Sequence, residues 1–535
     1  MAWNYGDILD GVATIMPPDA PALIHKDRVT TWGDFDRRTN ALARGLIAAG
    51  HQPDDKLAIL LRNHPEYMEA TCAGFKGRFV HVNVNYRYKA DELHYIFDNS
   101  DASIVVYGSE FAEILGELKA RLPGVRTWLQ IAVDETPLAP FAQDYEAFVA
   151  AHDGAPLGIA RSPDDLFFIY TGGTTGMPKG VMWRHDDLRQ TQLSPVFLPR
   201  IPTNIPEHLD LIREMGPGAR MIPACPQMHG TGLLTSFAAL CMGGSVVTLD
   251  RPSFEAVEMW DAIERDKVSQ IAIVGDAFAK PMLRALEENP GRWDLSSLLS
   301  IISSGVMWSQ EVKHGLLQHV PQAQLIDSFG SSEAVGFAAS ITNSEGEVET
   351  ARFMMGEDVK VFSPDHRPIA PGSEEPGYIA RGGNIPVGYW KDPEKTAKTF
   401  PVIEGRRWSI PGDFCLVHED GSITLLGRGS VCINTAGEKV YPEEVEEVLK
   451  QHPDVDDALV VGVPDDKWGT AVTGVVELRP GASFDEESLR RHVRDRLAGY
   501  KTPKRILAVD QMLRAPNGKA DYKGTTQFAR ESLGL

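Results

Sequence analysis

Cysteine is scarce in this chain: five among 535 residues, at positions 72, 225, 241, 415 and 432. They form no CxxC pair and show no Cys/His ligand spacing, which excludes a disulfide framework and the common zinc sites and fits a reducing, cytoplasmic setting. Positive charge is also in deficit. The 53 Lys and Arg residues against 74 Asp and Glu leave a net charge of −21 at pH 7, so no global field draws nucleic acid or an anionic membrane to the surface. Any anion this chain binds must be met by local groups. Long apolar runs are missing too: no uncharged apolar stretch reaches 18 residues, and the opening MAWNYGDILDGVATIMPPDAP has no basic segment followed by an apolar one. Neither an integral membrane segment nor export is expected, although peripheral attachment stays open. Internal repeats and low-complexity tracts are absent as well.

What is present is a long chain of ordinary globular balance, 24% charged and 43% apolar. Its length exceeds what one hydrophobic core organises, so two or more domains are expected. Helical patterns such as WGDFDRRTNALARGLIAAG (32–50) alternate with apolar runs such as KLAILL (56–61) and ASIVVY (102–107). The rhythm returns in GGSVVTLD (243–250), VSQIAIVG (268–275) and LSSLLSIISSG (295–305). This predicts α/β layers around largely parallel strands. From about residue 376 short β-like runs are cut by Gly, Pro and Asp, predicting hairpins or a small barrel-like part. Beyond Arg428 a compact α+β unit is predicted from helix 443–452, strands 457–463 and 470–478, and helix 483–499. The boundary is placed between domains 1–429 and 430–535, with Gly429 and Ser430 as a hinge.

The most informative segment is YTGGTTGMPKG (170–180), between the apolar runs DLFFIY and VMW. A strand, a loop and a second strand are predicted. Gly172, Gly173, Gly176 and Gly180 let backbone approach a phosphate and turn N–H groups toward it; Thr171, Thr174 and Thr175 add hydroxyls and Lys179 a cation. A Walker loop would need Gly before its Lys and Ser or Thr after it. Here Pro178 precedes Lys179 and Gly180 follows, which disfavours an ordinary kinase or GTPase.

YTGGTTGMPKG resembles the phosphate loop of the adenylate-forming superfamily, which includes acyl-CoA synthetases, aryl-CoA ligases, peptide-synthetase adenylation domains and firefly-type luciferases. Further matches run from about Thr30 to Lys519. The resemblance implies a large N-terminal domain of layered sheets and helices with a small barrel-like part, hinged to a mobile C-terminal domain. It also implies a two-step reaction: a carboxylate attacks the α-phosphorus of ATP and expels pyrophosphate, then a thiol, coenzyme A, attacks the acyl-adenylate. Both steps develop negative charge, so preorganised cations and backbone donors are the expected equipment.

Residue by residue, the resemblance makes Glu333, in DSFGSSE, the magnesium-binding carboxylate, assisted by Thr175. Asp327, Ser328, Phe329, Gly330, Ser332 and Val306 would surround the nucleotide, with Phe329 against adenine. Asp413 would accept hydrogen bonds from the ribose hydroxyls, and Arg428 would contact the nucleotide before the hinge. Lys519, in APNGKADY, matches the C-terminal lysine that touches the reacting carboxylate and α-phosphate. His229 resembles a gate between acyl pocket and thiol tunnel, while Gly437 and Lys439 would serve the CoA arm. The acyl pocket would draw on His229, Gly230, Val274, Gly275, Gly305, Val306 and Gly330. At the hinge the chain departs from the pattern, having Ser430 where relatives commonly have Asp or Lys.

VNVNYRY (82–88), GDAFAKP (275–281) and GNIPVGYW (383–390) look like a bacterial branch acting on long fatty acids or steroid side-chain acids, so a bulky apolar acid is the expected substrate. Three other readings compete. A freestanding ligase could load a carrier protein, although the chain runs only a short way past Lys519. A luciferase-like oxygenase would share the nucleotide motifs. A non-catalytic nucleotide-binding relative would tolerate loss of Lys179, Glu333, Asp413 and Lys519, yet all four are present. Oligomeric state is not legible, and a homodimer stays open.

Overall fold

The computed structural model describes all residues except 1–2, 172–176, 194–197, 306–307, 345–351, 357, 429–432, 436–437, 466–468, 498 and 515–518. Two compact units form: Met1–Val348 with Gly382–Ser409, and Glu349–Arg381 with Ile410–Leu535. The junction expected at 429–430 lies outside the described residues.

The first unit is built on two sheets. In one, the strands run in the order Ala334–Thr342, Gln324–Ser331, Ser300–Ser304, Gln270–Ile273, Arg220–Pro223, Ser245–Thr248, Pro21–His25 and Arg28–Thr31. The inner six are parallel, and the first and last are antiparallel to their neighbours. In the other the order is Gly388–Tyr389, Lys179–Arg184, Leu166–Thr171, Val80–Asn83, Lys56–Leu60, Ala102–Gly108, Thr127–Ile131 and Gln143–Asp144. Every apolar run predicted as a strand in this part is one.

Between the sheets lies the helix Pro65–Lys76, buried at all its positions and touching strands of both. Burial on every face requires its polar side chains to be paired. Glu69 accepts from Arg38 at 2.7 and 2.9 Å and from the Tyr145 hydroxyl at 2.9 Å. Lys76 donates to Asn40 at 3.1 Å and pairs with Asp36. Removing one partner of such a buried pair costs about 3–5 kcal/mol. The predicted helix 32–50 is Trp32–Ala48; Thr31 starts it, its hydroxyl accepting the Asp34 N–H at 3.1 Å, a cap worth about 1 kcal/mol.

In the second unit, strands Val359–Phe362, Gly377–Arg381, Asp413–Val417, Ser422–Arg428 and Arg352–Met355 pair antiparallel in that order. The hairpin between the third and fourth turns at Gly421, whose φ of 80° suits a residue without Cβ. Farther along, Val455–Asp465 pairs antiparallel with Gly469–Leu478, and Arg505–Val509 joins in parallel. Alternate residues face two layers. Val472 and Val476 pack with Val445, Leu449, Leu489 and Val493, whereas Ala471 and Val475 pack with Ala529 and Phe528. The helix predicted over 483–499 is shorter, Glu486–Arg494; Asp485 fixes its start by accepting the Ser488 N–H at 3.0 Å.

Candidate active site

The phosphate-loop segment is a hairpin, as its strand, loop, strand pattern predicts. Leu166–Thr171 and Lys179–Arg184 pair antiparallel, and the last rung sets Thr171 opposite Lys179. Gly172, Gly173, Thr174, Thr175 and Gly176 lie outside the described residues. Lys179 is partly buried and ion-paired with Asp392. The pairing holds the Asp392 carboxyl below the usual carboxylate range, with help from the Lys395 N–H. Gly180 has a packing role: an added Cβ would lie 2.8 Å from the Tyr170 ring, and its carbonyl accepts the Trp390 N–H at 2.8 Å.

DSFGSSE is mostly strand rather than loop. Asp327–Ser331 belong to Gln324–Ser331, and only Ser332 and Glu333 form the turn into Ala334–Thr342. A bulge interrupts the pairing between Phe329 and Ser331. There the missing side chain of Gly330 admits the Ala334 carbonyl, which an added Cβ would meet at 3.1 Å. Phe329 stacks on Phe337, ring centroids 5.3 Å apart. The turn is pinned on two sides: Trp183 Nε1 of the hairpin donates to the Ser332 carbonyl at 2.8 Å, and Ser409 Oγ donates to the Glu333 carbonyl at 2.6 Å. The Tyr389 hydroxyl donates to Glu333 Oε1 at 2.7 Å.

The expected acyl-pocket residues gather at the C-terminal ends of parallel strands, where open α/β sheets bind ligands. The register aligns Ile273, Ser303 and Asp327 in one row and Ser304 beside Ser328 in the next. Val274 and Gly275 follow the first of these strands, and Gly305 follows the second. Gly275 and Gly305 have φ of 54° and 91°, and the Gly275 N–H donates to Ser303 Oγ at 3.0 Å. His229 and Gly230 open the helix Gly230–Cys241 after the neighbouring strand Arg220–Pro223. Val306 lies outside the described residues.

The AMP-binding enzyme family matches residues 13–390, and the AMP-binding enzyme C-terminal domain matches residues 444–519. The chain is 40% identical over its whole length to the 3-oxocholest-4-en-26-oate–CoA ligase of Rhodococcus rhodochrous, covering 97% of that protein. The chain belongs to the AMP-binding enzymes, as an acid–CoA ligase. Over 98% of the ligase and 95% of the relative, identity is 39% to the medium/long-chain-fatty-acid–CoA/3-oxocholest-4-en-26-oate–CoA ligase of Mycobacterium tuberculosis. It is 38% to the medium-chain acyl-CoA ligase Mig of Mycobacterium avium, over 96% and 95%. The fold matches the anthranilate CoA ligase AuaEII in complex with anthranoyl-AMP, with TM-score 0.85 at 22% identity over 100% and 98% of the two chains. It also matches ATP-bound MatB from Rhodopseudomonas palustris, with TM-score 0.83 at 24% identity over both whole chains. The adenylate-forming fold implied by the motifs is the fold found.

In the ligase's second unit, Asp413 begins its strand, is buried, and sits across the hairpin from Arg428. The Arg428 side chain lies outside the described residues, as do Ser430, Gly437 and the Lys439 side chain; the Lys439 backbone pairs with Asn434. Lys519 is exposed, next to the bridge that pairs Arg514 with Ala520.

Residue types alone missed several contacts. Asp327, read as lining the base pocket, is ion-paired with the buried Lys313; burial pushes its carboxyl above the usual range and Lys313 opposes that. Tyr389 carried a signal only within the GNIPVGYW motif, Trp183 only as part of the predicted strand VMW, and Ser409 none. Asp392 had a structural one, an Asp before Pro393 that marks the start of the helix Pro393–Thr399. Among the described residues no three His, Cys, Asp or Glu side chains gather as a metal cage. A carboxylate in a turn, such as Glu333, fits magnesium, which binds through one or two carboxylates together with substrate phosphates. No helix among the described residues is long and apolar enough to cross a membrane.

Proposed function

We propose that the ligase converts a bulky apolar carboxylic acid, a medium- or long-chain fatty acid or a steroid side-chain acid, into its CoA thioester through an acyl-adenylate. The observation that carries this is full-length identity of about 40% to enzymes named for those acids. In the first step an acid oxygen bonds to the α-phosphorus of ATP and pyrophosphate leaves. In the second the CoA sulfur, having lost its proton, attacks the acyl carbon and AMP leaves.

Thr171–Gly176 and Lys179 hold the phosphates through backbone N–H groups, hydroxyls and one cation. Glu333 would hold magnesium, with Thr175 assisting, and the ion would supply neutralisation of the phosphate charge. Asp327, Ser328, Phe329, Gly330, Ser332 and Val306 surround the nucleotide, Asp413 accepts from the ribose, and Arg428 contacts the nucleotide. The acid lies along Val274, Gly275, Gly305, Val306 and Gly330, with His229 and Gly230 at its mouth. Lys519 neutralises the two anions as they approach. Gly437 and Lys439 serve the thioester step, and the domain 430–535 turns about Ser430 to exchange them for Lys519.

The test is a panel of fatty, aryl and steroid acids with ATP, magnesium and CoA, scored for AMP and thioester by mass spectrometry. Long-chain or steroid thioesters are expected. AMP without thioester would redirect the reading to a carrier-loading ligase, and aryl acids turning over best would overturn the substrate class.

A further inference from the structure

The strand that leaves the phosphate loop has a short partner along its outer edge. Gly388 and Tyr389 pair antiparallel with Met182 and Val181, and the flanking Val387 and Trp390 N–H groups donate to Met182 and Gly180 carbonyls, each at 2.8 Å. The chain then reverses. Lys391 has a φ of 55°, and Asp392 caps the next helix by accepting the Lys395 N–H at 2.9 Å. Thr396 ties the turn together, accepting the Tyr389 N–H at 2.9 Å and donating to the Asp392 carbonyl at 2.7 Å. Gly388 must lack a side chain here, since an added Cβ would lie 2.5 Å from Thr396 Cγ2.

Two side chains of this strap reach groups assigned to ATP. The Asp392 carboxylate pairs with Lys179, and the Tyr389 hydroxyl donates to Glu333 Oε1 at 2.7 Å. Lys179 and Glu333 come from different sheets, 154 residues apart in sequence. One stretch of backbone therefore touches both the cation and the carboxylate of the proposed phosphate site.

We propose that Gly388–Asp392 is the positioning element of the adenylation step: Asp392 aims the Lys179 ammonium, Tyr389 aims the Glu333 carboxylate, and their shared backbone keeps the two in register. The inference rests on the roles given above to Lys179 and Glu333. Neither Tyr389 nor Asp392 is a catalytic residue; each acts through the group it holds. Such partners of a metal-binding carboxylate or phosphate-binding cation fix orientation, and losing one typically lowers metal affinity or activity about 10–100-fold.

The test uses the full chain carrying Tyr389→Phe or Asp392→Asn, with Lys179→Ala as reference. ATP binding is titrated calorimetrically with and without magnesium, ATP–pyrophosphate exchange is measured against magnesium concentration, and thioester formation is followed from supplied acyl-adenylate. Tyr389→Phe is expected to raise the half-saturating magnesium about tenfold and leave magnesium-free ATP binding unchanged. Asp392→Asn is expected to weaken ATP binding several-fold with or without magnesium. Both should leave thioester formation from the adenylate within twofold of the parent. A purely structural loss would lower both half-reactions together without moving the magnesium dependence, and that outcome overturns the proposal. So does an Asp392→Asn variant that binds ATP as tightly as the parent or more tightly. If the parent exchanges pyrophosphate and Lys179→Ala does not, while both strap variants behave like the parent, this inference alone fails. A parent that neither binds ATP nor exchanges pyrophosphate defeats the underlying site reading as well.

Discussion

Lys179 and Lys519 have the same chemistry in very different settings. Lys179 is the first residue of a strand, at the loop end of a hairpin, partly buried, and paired with a carboxylate held below the usual range. Lys519 is exposed and sits beside a single β-bridge at the end of the second unit. A cation that holds the phosphates of a resting nucleotide benefits from rigid mounting. One that must reach two approaching anions and then withdraw needs a mounting that travels as a block. Under the roles proposed above, one side-chain type serves both tasks, and the supports around the two lysines differ.

Lys519→Ala tests the comparison most severely. Removing a preorganised charge-stabilising donor commonly costs a factor of about 10²–10³ in rate. Adenylation, read by ATP–pyrophosphate exchange, should fall by that order while thioester formation from supplied acyl-adenylate persists. Equal loss of both steps would mean that Lys519 is not specific to adenylation. Lys179→Ala should come next, about 10²-fold in exchange with a raised ATP KM, because its partner Asp392 would then be left uncompensated near the phosphates. If its ATP KM is unchanged, the contrast between a holding and a delivered cation fails.

Arg514→Met is smaller and more pointed. Arg514 grips Asp457 with two hydrogen bonds of 2.6 and 2.8 Å, and its backbone pairs with Ala520, the residue after Lys519. A charge-assisted pair of this kind is worth about 1.5–3 kcal/mol. Exchange activity should fall about tenfold as the support of Lys519 loosens, with the thioester step again spared. An Arg514→Met enzyme adenylating at the parental rate would show that Lys519 needs no such anchor.

Much of this was legible because local pattern and tertiary structure agree. Apolar runs flanking a Gly/Thr-rich stretch became the 166–184 hairpin, and the small-unit strands appeared where β-branched runs predicted them. The missed features are those in which one side chain meets another far along the chain. Asp392 lies 213 residues from Lys179, and its type and position announced only a helix cap. Lys313 reads as a surface lysine on the helix Gln310–His319, yet it is buried against Asp327, and only folding reveals which face of that helix turns inward. The motif gives no sign that the missing side chain of Gly180 also makes room for Tyr170. Periodicity encodes which residues turn inward, but not which polar groups meet there.

The smallest expected effect concerns the base of the Lys519 region. Glu446 is buried on the helix Pro442–Lys450, accepting the Val460 N–H at 2.9 Å and facing the Tyr522 hydroxyl at 3.3 Å, one turn of chain beyond Lys519. Burial pushes its carboxyl up to about 7, with Lys450, the Val460 N–H, Tyr522 and Arg514 opposing, and the neighbouring Glu443 is pushed up to about 8. The folded state therefore prefers Glu446 protonated. Its contribution to stability is full below the unfolded value of about 4.5, declines as pH rises, and is gone above about 7. A shift of this size corresponds to at most about 3 kcal/mol, less where Lys450 compensates the charge. Glu446→Gln keeps the acceptor for Val460 and cannot ionise, so the variant should unfold at a higher temperature than the parent at pH 8 and at nearly the same one at pH 5. If the two melting curves respond alike to pH, Glu446 is held as a charged partner of Lys450.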